Sequence, residues 1–365
     1  MKVSYVDLPG QYLQQRQEIL DAVDATLRSG RYILGEPVSE FERRFAALCG
    51  VQHAVGVANG TDALILALKA LDIGPGDEVI TAANSWVSSA SSIALVGAVP
   101  VFADVGDDYN LDPAKLEAAI TPRTKAIMPV HLTGRCCDMT AINALAKRHG
   151  LAVIEDAAQA AGALFEGKPA GSMSDIACFS LHPLKNLNAA GDAGAVTTHH
   201  QHLADRIAQL RNHGLMERNH VAFWAYNSRL DSLQAAILNT KFEKLQAVIE
   251  RRRHNASRYR EQIADLVQCP QPRDNARDTY HLFVIQAERR DELKQFLKEQ
   301  GISTAIHYPV PIHLQPSSEA LGYARGSLPI TEAQARRILS LPVHHLLEDE
   351  HIDYVASQLR AFYRS

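Results

Sequence analysis

The stretch from Val153 to Gly194, VIEDAAQAAGALFEGKPAGSMSDIACFSLHPLKNLNAAGDAG, contains two short apolar runs that are each followed by polar residues. The first run ends at Asp156, and the second, IACFSL, comes just before Lys185. Open α/β sheets place their ligands beyond the carboxyl ends of their strands. The stretch therefore predicts an acid and a lysine close together at one edge of such a sheet.

The alternation of short apolar runs with helical segments extends over residues 51–200. The runs predict seven strands, and their near-continuous apolar character predicts a mostly parallel sheet covered by helices on both faces. The seven runs are HAVGVA (53–58), DEVITA (77–82), PVFADV (100–105), KAIMPVH (125–131), LAVIEDA (151–157), IACFSL (176–181) and GAVTT (194–198). Before them, SEFERRFAALCG predicts a helix with Ser39 as its N-cap and Gly50 as its stop.

The pattern changes after Asn227. One long helix is predicted over about 231–266, followed by the strand TYHLFVIQA (279–287) and the helix DELKQFLKEQG (291–301). A chain of 365 residues is too long for one ordinary core. We expect a large domain over residues 1–240, with an N-terminal helical segment, and a smaller C-terminal α+β domain over residues 241–365.

Composition narrows the class of protein. The formal net charge is −4, with 46% hydrophobic and 21% charged residues, which is typical of a globular enzyme and offers no electrostatic footprint for nucleic acid. Arginines 251, 252, 253, 258 and 260 form the densest basic cluster, and we expect them on a solvated helix face. Five cysteines without CxxC spacing, and no apolar leader at the N-terminus, predict a cytoplasmic protein with no membrane partner.

Asp156 and Lys185 together suit pyridoxal 5′-phosphate (PLP), whose chemistry needs a lysine that forms an imine and an acid that keeps the pyridine nitrogen protonated. If EDAAQA leaves its strand as a helical turn, Gln159 lies on the same face as Asp156 and can reach the ring hydroxyl. The alternative is a helix cap with a polar surface residue, and a solvated loop lysine. No zinc motif or GxGxxG sequence points to another cofactor.

Further polar and aromatic residues follow the predicted strands. In NGTDAL, Gly60 and Thr61 open a helix whose free N–H groups can bind phosphate, although an ordinary helix cap has the same pattern. Ser180 ends a strand and can also bind phosphate. Trp86 can stack on a cofactor ring or serve as a core aromatic. Asn227 and Arg229 can serve a ligand or merely the start of the following helix.

With these residues in view, the chain resembles the DegT/DnrJ/EryC1/StrS sugar aminotransferases, a fold-type I PLP family. The resemblance rests on GRYILGEPVSEFE (30–42), NGTDAL, GPGDEVI, PVFADV, ITPRTKAIMPVHLTG, VIEDAAQAAGA, HPLKNL, GDAGAV, YNSRLDSLQAA and HYPVPIHLQP, which together span nearly the whole chain.

The resemblance implies a role for each candidate residue. Lys185 is the Schiff-base lysine, Asp156 the partner of the pyridine nitrogen, Gln159 the contact of the phenolic oxygen and Trp86 the stacking ring. Phosphate contacts fall to Gly60, Thr61, Ser180 and, from a neighbouring subunit, Asn227, so the family implies a homodimer with shared active sites. Substrate contacts fall to His307, Tyr308, His313 and Arg229.

The activity that follows is transfer of an amino group from L-glutamate to a keto group, at position 3 rather than 4, of a dTDP-, UDP- or GDP-linked deoxysugar. A cyclitol ketone is the alternative acceptor. Two alternatives from other classes are a PLP-dependent lyase and a PLP-binding regulator without catalysis.

Overall fold

The computed structural model describes residues 1–364. The strands are β1 (His53–Val57), β2 (Glu78–Ala82), β3 (Val99–Ala103), β4 (Thr124–Met128), β5 (Ala152–Asp156), β6 (Leu164–Phe165), β7 (Lys168–Pro169), β8 (Ile176–Ser180), β9 (Gly194–Thr198), β10 (Leu215–Glu217), β11 (His220–Val221), β12 (Ala276–Arg277), β13 (Phe283–Gln286) and β14 (Ile338–Leu341).

The helices are α1 (Leu8–Gln14), α2 (Arg16–Ser29), α3 (Glu36–Cys49), α4 (Gly60–Ala70), α5 (Ser88–Leu95), α6 (Pro113–Leu116), α7 (Met139–His149), α8 (Gln201–Leu210), α9 (Ser232–Phe242), α10 (Leu245–Ile263), α11 (Arg290–Glu299), α12 (Pro329–Arg337) and α13 (Asp349–Arg364). Short 3₁₀ turns lie at Glu117–Ala119, Leu132–Gly134, Ile312–Leu314 and Pro316–Leu321.

The central sheet has seven strands in the order β1-β9-β8-β5-β4-β2-β3. Strands β3, β2, β4, β5 and β8 pair in parallel, whereas β9 is antiparallel to both of its neighbours, β8 and β1. Each of the seven strands predicted from the sequence is present. The prediction of a mostly parallel seven-stranded sheet is therefore confirmed.

Helices cover both faces of this sheet. Ile176 and Cys178 of β8 face a core shared with α4, α5 and α8, whereas Ala177 and Phe179 face a second core shared with α3, α7 and α9. Alternate residues of a strand point to opposite faces, so a strand buried on both faces must be apolar throughout. This requirement explains why the central strands appear in the sequence as continuous apolar runs.

A third core lies in the C-terminal part of the chain, where β13 and β14 pair antiparallel and pack with α10, α11 and α13. Val3 is also buried in this core. Its N–H donates to the Gly301 carbonyl at 3.0 Å, and its carbonyl accepts from the Ser303 N–H at 2.9 Å. The N-terminus is thereby held against the C-terminal part of the molecule.

Two helix boundaries differ from the prediction. The long helix expected over 231–266 is two helices, α9 and α10, which are separated at residues 243 and 244. Ser39 is not an N-cap, because α3 already starts at Glu36 with Gly35 as its N-cap and a proline in its first turn. Gly50 ends α3 in the left-handed conformation, with φ of 64°, as expected for a helix stop.

No helix in residues 1–364 combines the length and the apolar character needed to cross a bilayer.

Candidate active site

A cavity of about 520 Å³ lies between the carboxyl edge of the central sheet and the C-terminal part of the chain. Four strand ends supply its inner wall: α4 begins just after β1, the loop after β2 carries Trp86, β5 ends at Asp156 and β8 ends at Ser180. The opposite wall comes from the C-terminal part of the chain and from residues near the N-terminus. Its members are Tyr5, Val6, Arg252, His281, Leu282, His307, Tyr308, Val343 and His344.

Asp156 is buried at the end of β5, with its side chain held from two directions. Its Oδ2 accepts a hydrogen bond from the Ser89 hydroxyl at 2.7 Å, and its Oδ1 accepts from the Ala158 N–H at 3.2 Å. Burial raises the pKa of Asp156, while these two hydrogen bonds and the nearby Lys185 charge oppose the rise. The carboxylate therefore has a fixed orientation toward the cavity.

Lys185 lies in the loop between β8 and β9 and lines the same cavity. Its side-chain amine makes no hydrogen bond to any residue in the described range 1–364. Burial lowers its pKa to about 8, and the Asp156 charge opposes this change. An amine with this pKa is present in part as the neutral nucleophile at neutral pH, which a solvated lysine is not.

The start of α4 faces the cavity with free backbone N–H groups. The N-cap is Asn59, whose Oδ1 accepts from the Asp62 N–H at 2.8 Å. The N–H groups of Gly60 and Thr61 have no hydrogen-bond partner in the described chain, and the Thr61 hydroxyl lies 2.7 Å from that of Ser88. A Cβ atom on Gly60 would approach Ser180 Cβ to 2.7 Å. Glycine is therefore what lets the helix start reach Ser180.

Trp86 is not a core aromatic, because 58% of its surface is exposed. It lines the cavity, and its ring centroid lies 5.7 Å from that of Tyr308. Burial raises the pKa of Tyr308, and a hydrogen bond with Gln159 opposes the rise. Trp86 and Tyr308 thus lie side by side in the lining of the cavity.

Gln159 also lines the cavity, but the backbone between Asp156 and Gln159 differs from the predicted helical turn. The segment after Asp156 is not helical: it makes two successive tight turns, in which the Ala160 N–H donates to the Ala157 carbonyl and the Ala163 N–H to that of Ala160. The Gln159 Oε1 accepts from the Thr133 N–H at 2.7 Å. Small side chains allow these turns to pack under the sheet edge.

Two histidines flank Lys185. The Nδ1 atom of His307 lies 2.8 Å from the Ser340 hydroxyl, and burial together with the Lys185 charge lowers the pKa of His307 to about 4. Burial, with the same charge and that of Arg252, lowers the pKa of His281 well below its usual value. Burial thus favours the neutral form of both imidazoles.

Arg252 corrects the expectation that all five arginines of the basic cluster are solvated. It is only 4% exposed and lines the cavity, and its Nη1 donates to the carbonyls of Tyr280 and His281 at 3.1 and 3.2 Å. Charge density along a helix does not reveal which residue faces inward. The helical period of α10 could have revealed that Arg252 faces inward, since Arg252 lies one turn from the buried residues Ile249 and Ala256.

Three expected site residues do not line the cavity. Asn227 is exposed, and Arg229 donates from Nη1 to the Asn212 side chain at 3.1 Å. His313 is 2% exposed, and its Nε2 lies 3.1 Å from Glu332, so it belongs to a buried polar pair. A substrate contact by His313 is inconsistent with this position.

The sequence prediction missed Tyr5, Ser89, His281 and His344, all of which line the cavity. They come from four distant segments, and no motif joins them. The Nε2 atom of His344 lies 3.2 Å from the Ser4 carbonyl. The described residues contain no group of three or more His, Cys, Asp or Glu side chains that could hold a metal ion.

Comparison with known proteins identifies the family. The model of the DegT/DnrJ/EryC1/StrS aminotransferase family matches residues 13–360. The chain belongs to this family. It is a PLP-dependent aminotransferase with the fold of that group.

Two relatives match over almost their whole length. A pleiotropic regulatory protein of Geobacillus stearothermophilus is 46% identical over 369 residues, covering 100% of this chain and 99% of the relative. The UDP-N-acetyl-3-dehydro-α-D-glucosamine 3-aminotransferase of Acidithiobacillus ferrooxidans is 45% identical over 360 residues, covering 98% and 97%.

Two solved structures match the whole of this chain. DesV of S. venezuelae has a TM-score of 0.98 at 42% identity, covering 100% of this chain and 99% of DesV. NtdA of Bacillus subtilis, solved with the bound cofactor pyridoxamine phosphate, has a TM-score of 0.93 at 31% identity and covers 100% of this chain and 86% of NtdA.

The cavity of this chain fits the family's cofactor. The unpartnered N–H groups at the start of α4 suit a phosphate, the oriented carboxylate of Asp156 suits a protonated pyridine nitrogen, and the unpartnered amine of Lys185 suits the aldehyde. The glycine at position 60 leaves open the space that a side chain would fill.

Proposed function

We propose that this aminotransferase moves an amino group from L-glutamate to the 3-keto group of a nucleotide-linked deoxysugar. The observation that carries the proposal is the placement of the Lys185 amine, the Asp156 carboxylate and the open start of α4 around one cavity. The cavity extends beyond these groups to His307 and Tyr308, which leaves room for a substrate.

The roles of the site residues follow from their chemistry. Gly60, Thr61 and Ser180 bind the phosphate of PLP, and Asp156 pairs with the pyridine nitrogen. Trp86 stacks on the ring, while Gln159 donates to the phenolic oxygen. The hydrogen bonds from Ser89 and Ala158 fix the Asp156 carboxylate, so that its orientation does not depend on the cofactor.

Bound PLP supplies an electron-withdrawing ring that stabilises negative charge on the substrate carbon bonded to nitrogen. Lys185 Nζ would be the base that takes the proton from the donor Cα, and in the second half-reaction the acid that delivers a proton to the sugar carbon that receives the nitrogen. A pKa of about 8 suits both directions of this transfer near neutral pH. His307 and Tyr308, which line the same cavity as Lys185, orient the sugar.

Support for the acceptor comes from the named relatives. The Acidithiobacillus ferrooxidans relative acts, by its name, on a 3-dehydro sugar linked to UDP. Four charged residues, Asp156, Lys185, Asp192 and Arg252, line the cavity, and the remaining lining is polar or apolar, as suits a sugar ring with hydroxyl groups.

We also propose that the protein is a homodimer in which Asn227 of each chain reaches the phosphate site of the other. In the single chain Asn227 is exposed and lies outside the cavity. The neighbouring surface is unusually apolar, since Trp224 is 95% exposed and Met216 and Val221 are 59% and 48% exposed. A cytoplasmic location is supported by five free, buried cysteines.

The test is a complete reaction with L-glutamate and matched UDP-linked 3-keto and 4-keto sugars, with the amino sugar detected by mass spectrometry and 2-oxoglutarate by a coupled assay. The proposal predicts an amino sugar from the 3-keto acceptor. If only a cyclitol ketone is aminated, the acceptor is a cyclitol and not a nucleotide-linked sugar. A dehydrated product without consumption of glutamate would indicate a lyase, and PLP binding without turnover would indicate a regulator.

A further inference from the structure

Arg252 is a buried cation without a counter-ion. It projects from α10 with 4% of its surface exposed, and no carboxylate of residues 1–364 lies within ion-pair distance of it. Its Nη1 is satisfied by two carbonyls, but Nε is buried without a partner, and Nη2 makes no hydrogen bond within the described chain. The Nε and Nη2 atoms of the guanidinium group thus have no hydrogen-bond acceptor in residues 1–364.

Two other charged groups buried in residues 1–364 have partners, unlike Arg252. Arg135 lies 2.5 Å from Asp278, and Glu155 lies 2.8 Å from His131 and accepts further hydrogen bonds from Gly171 and Met173. A buried charge without a partner destabilises a protein by several kcal/mol. Burial lowers the pKa of Arg252 only to about 10, so it remains charged at neutral pH. Such a group is expected where an anionic ligand supplies the missing charge.

The wall beside Arg252 contains other buried polar groups without partners in the described chain. His281 and His344 line the same wall, and the Nδ1 atom of each is buried without a hydrogen-bond partner. Tyr5, whose ring stacks with that of His307, completes the wall. Lys185 is close enough to influence the pKa of both His281 and His307, so the wall adjoins the reacting amine.

We propose that Arg252, with His281 beside it, binds a carboxylate of the amino donor and so directs the donor Cα toward Lys185. A guanidinium edge matches a carboxylate, which carries one charge and two acceptor oxygens. The diphosphate of a nucleotide sugar carries two charges, and Arg252 is the one cation that the described residues place on this wall. The inference rests on the proposed function, since it assigns the donor subsite of that reaction.

The test uses the PLP-loaded protein and two readouts. The first is calorimetric binding of glutarate, which has the carboxylates of glutamate but no amine. The second is the single-turnover half-reaction with L-glutamate, followed by absorption. Replacing Arg252→Met should weaken glutarate binding and raise the half-saturating glutamate concentration by roughly 10- to 100-fold, and Arg252→Lys should give a smaller loss.

Arg253→Met is the matched control, because Arg253 is next on the same helix but does not line the cavity. It should leave both readouts within roughly twofold of the unmodified protein. The second half-reaction, started from protein loaded with pyridoxamine phosphate and the keto sugar, should decrease less in Arg252→Met than the glutamate half-reaction does, since the proposed subsite binds the donor.

Three results would overturn the inference: unchanged glutarate binding in Arg252→Met, an equal loss in the acceptor half-reaction, or an equal loss in Arg253→Met. If the variants fail to fold, the test is made on the unmodified protein by comparing its affinity for glutarate with its affinity for the neutral diamide of glutarate. Equal affinities would exclude a subsite that recognises the negative charge. Arg252-dependent glutarate binding without any half-reaction would leave the subsite standing and overturn the proposed function instead.

Discussion

Lys185 owes its reactivity to where its side chain lies. Burial lowers its pKa to about 8, and burial does the same for Lys241, which lies outside the cavity. Because only the neutral amine attacks an aldehyde, the rate of PLP uptake by the apoprotein should rise roughly tenfold per pH unit up to about pH 8 and then level off. The measurement is the growth of visible absorption after mixing apoprotein with PLP at several pH values.

Lys241→Met is the control for this profile, since it removes the other lysine with a lowered pKa. It should keep the same break near pH 8. A rate that keeps rising to pH 10 would mean that Lys185 has an ordinary pKa, and a break that moves in Lys241→Met would assign the titration to the wrong group.

Asp156 is the second residue of the catalytic pair that we propose. Asp156→Asn keeps the shape of the side chain but removes its charge, so the pyridine nitrogen would lose the partner that keeps it protonated. Turnover should fall by at least about 100-fold while PLP remains bound. Steady-state rates with absorption measured in parallel check this. A decrease below about tenfold would mean that the charge is not needed.

The sequence predicted the positions of individual site residues best where the residue follows a strand. Asp156, Lys185 and Gly60 follow predicted strands and meet at the cavity as expected. Arg252 and His281 were not found, because their burial depends on how the third core packs against the sheet edge. Local sequence does not encode that packing.

Among the elements, the start of α4 shows most directly how backbone geometry prepares a binding site. Gly60→Ala would bring a Cβ atom to 2.7 Å from Ser180 Cβ and 3.0 Å from its Cα, so the helix start or β8 must shift. We expect PLP affinity to fall by at least about tenfold and the free energy of unfolding to fall by about 1–3 kcal/mol.

Gly74→Ala is the matched control for this substitution. A Cβ at Gly74 would meet nothing closer than the Val96 carbonyl at 3.7 Å, so this variant should bind PLP normally. PLP titration and chemical denaturation measure both properties. Normal affinity in Gly60→Ala would show that the close approach to Ser180 does not matter for phosphate binding.

Elements with strong periodicity were predicted well, and their ends were predicted less well. The seven central strands were found because burial on both faces makes them continuously apolar. The break between α9 and α10 and the turns after Asp156 were missed, since both segments contain residues that are compatible with a helix. Tertiary packing decides such cases.

The helix α10 also bears on the division of the chain. Its first turns place Leu245 and Ile249 in the core that includes α3 and α7, whereas Ala256, Tyr259 and Ile263 belong to the third core. The helix thus connects two cores, and the domain boundary at residues 240 and 241 stays a prediction.

For the whole molecule, the central expectation is that two chains complete each other's sites. If Asn227 acts across a dimer, mixing Lys185→Ala with Asn227→Ala protein should restore activity, because each mixed dimer has one site with both native residues. Random exchange at equal amounts should give roughly a quarter of the unmodified activity. The assay is the glutamate half-reaction after mixing, incubation and exchange of subunits.

Each variant alone is the control, and neither should exceed a few per cent of the unmodified activity. A mixture that is no more active than its components, despite subunit exchange shown by mass spectrometry, would place Asn227 in the same chain's site or outside any site.

The proposed function requires that Lys185 binds PLP and transfers the proton. The most direct test is the absorption spectrum of the PLP-loaded protein before and after addition of L-glutamate, with Lys185→Ala alongside. The unmodified protein should lose its visible absorption and gain near-ultraviolet absorption as 2-oxoglutarate forms, and Lys185→Ala should form none. Release of 2-oxoglutarate by Lys185→Ala at an appreciable rate, or a visible band that glutamate leaves unchanged in the unmodified protein, would contradict the account.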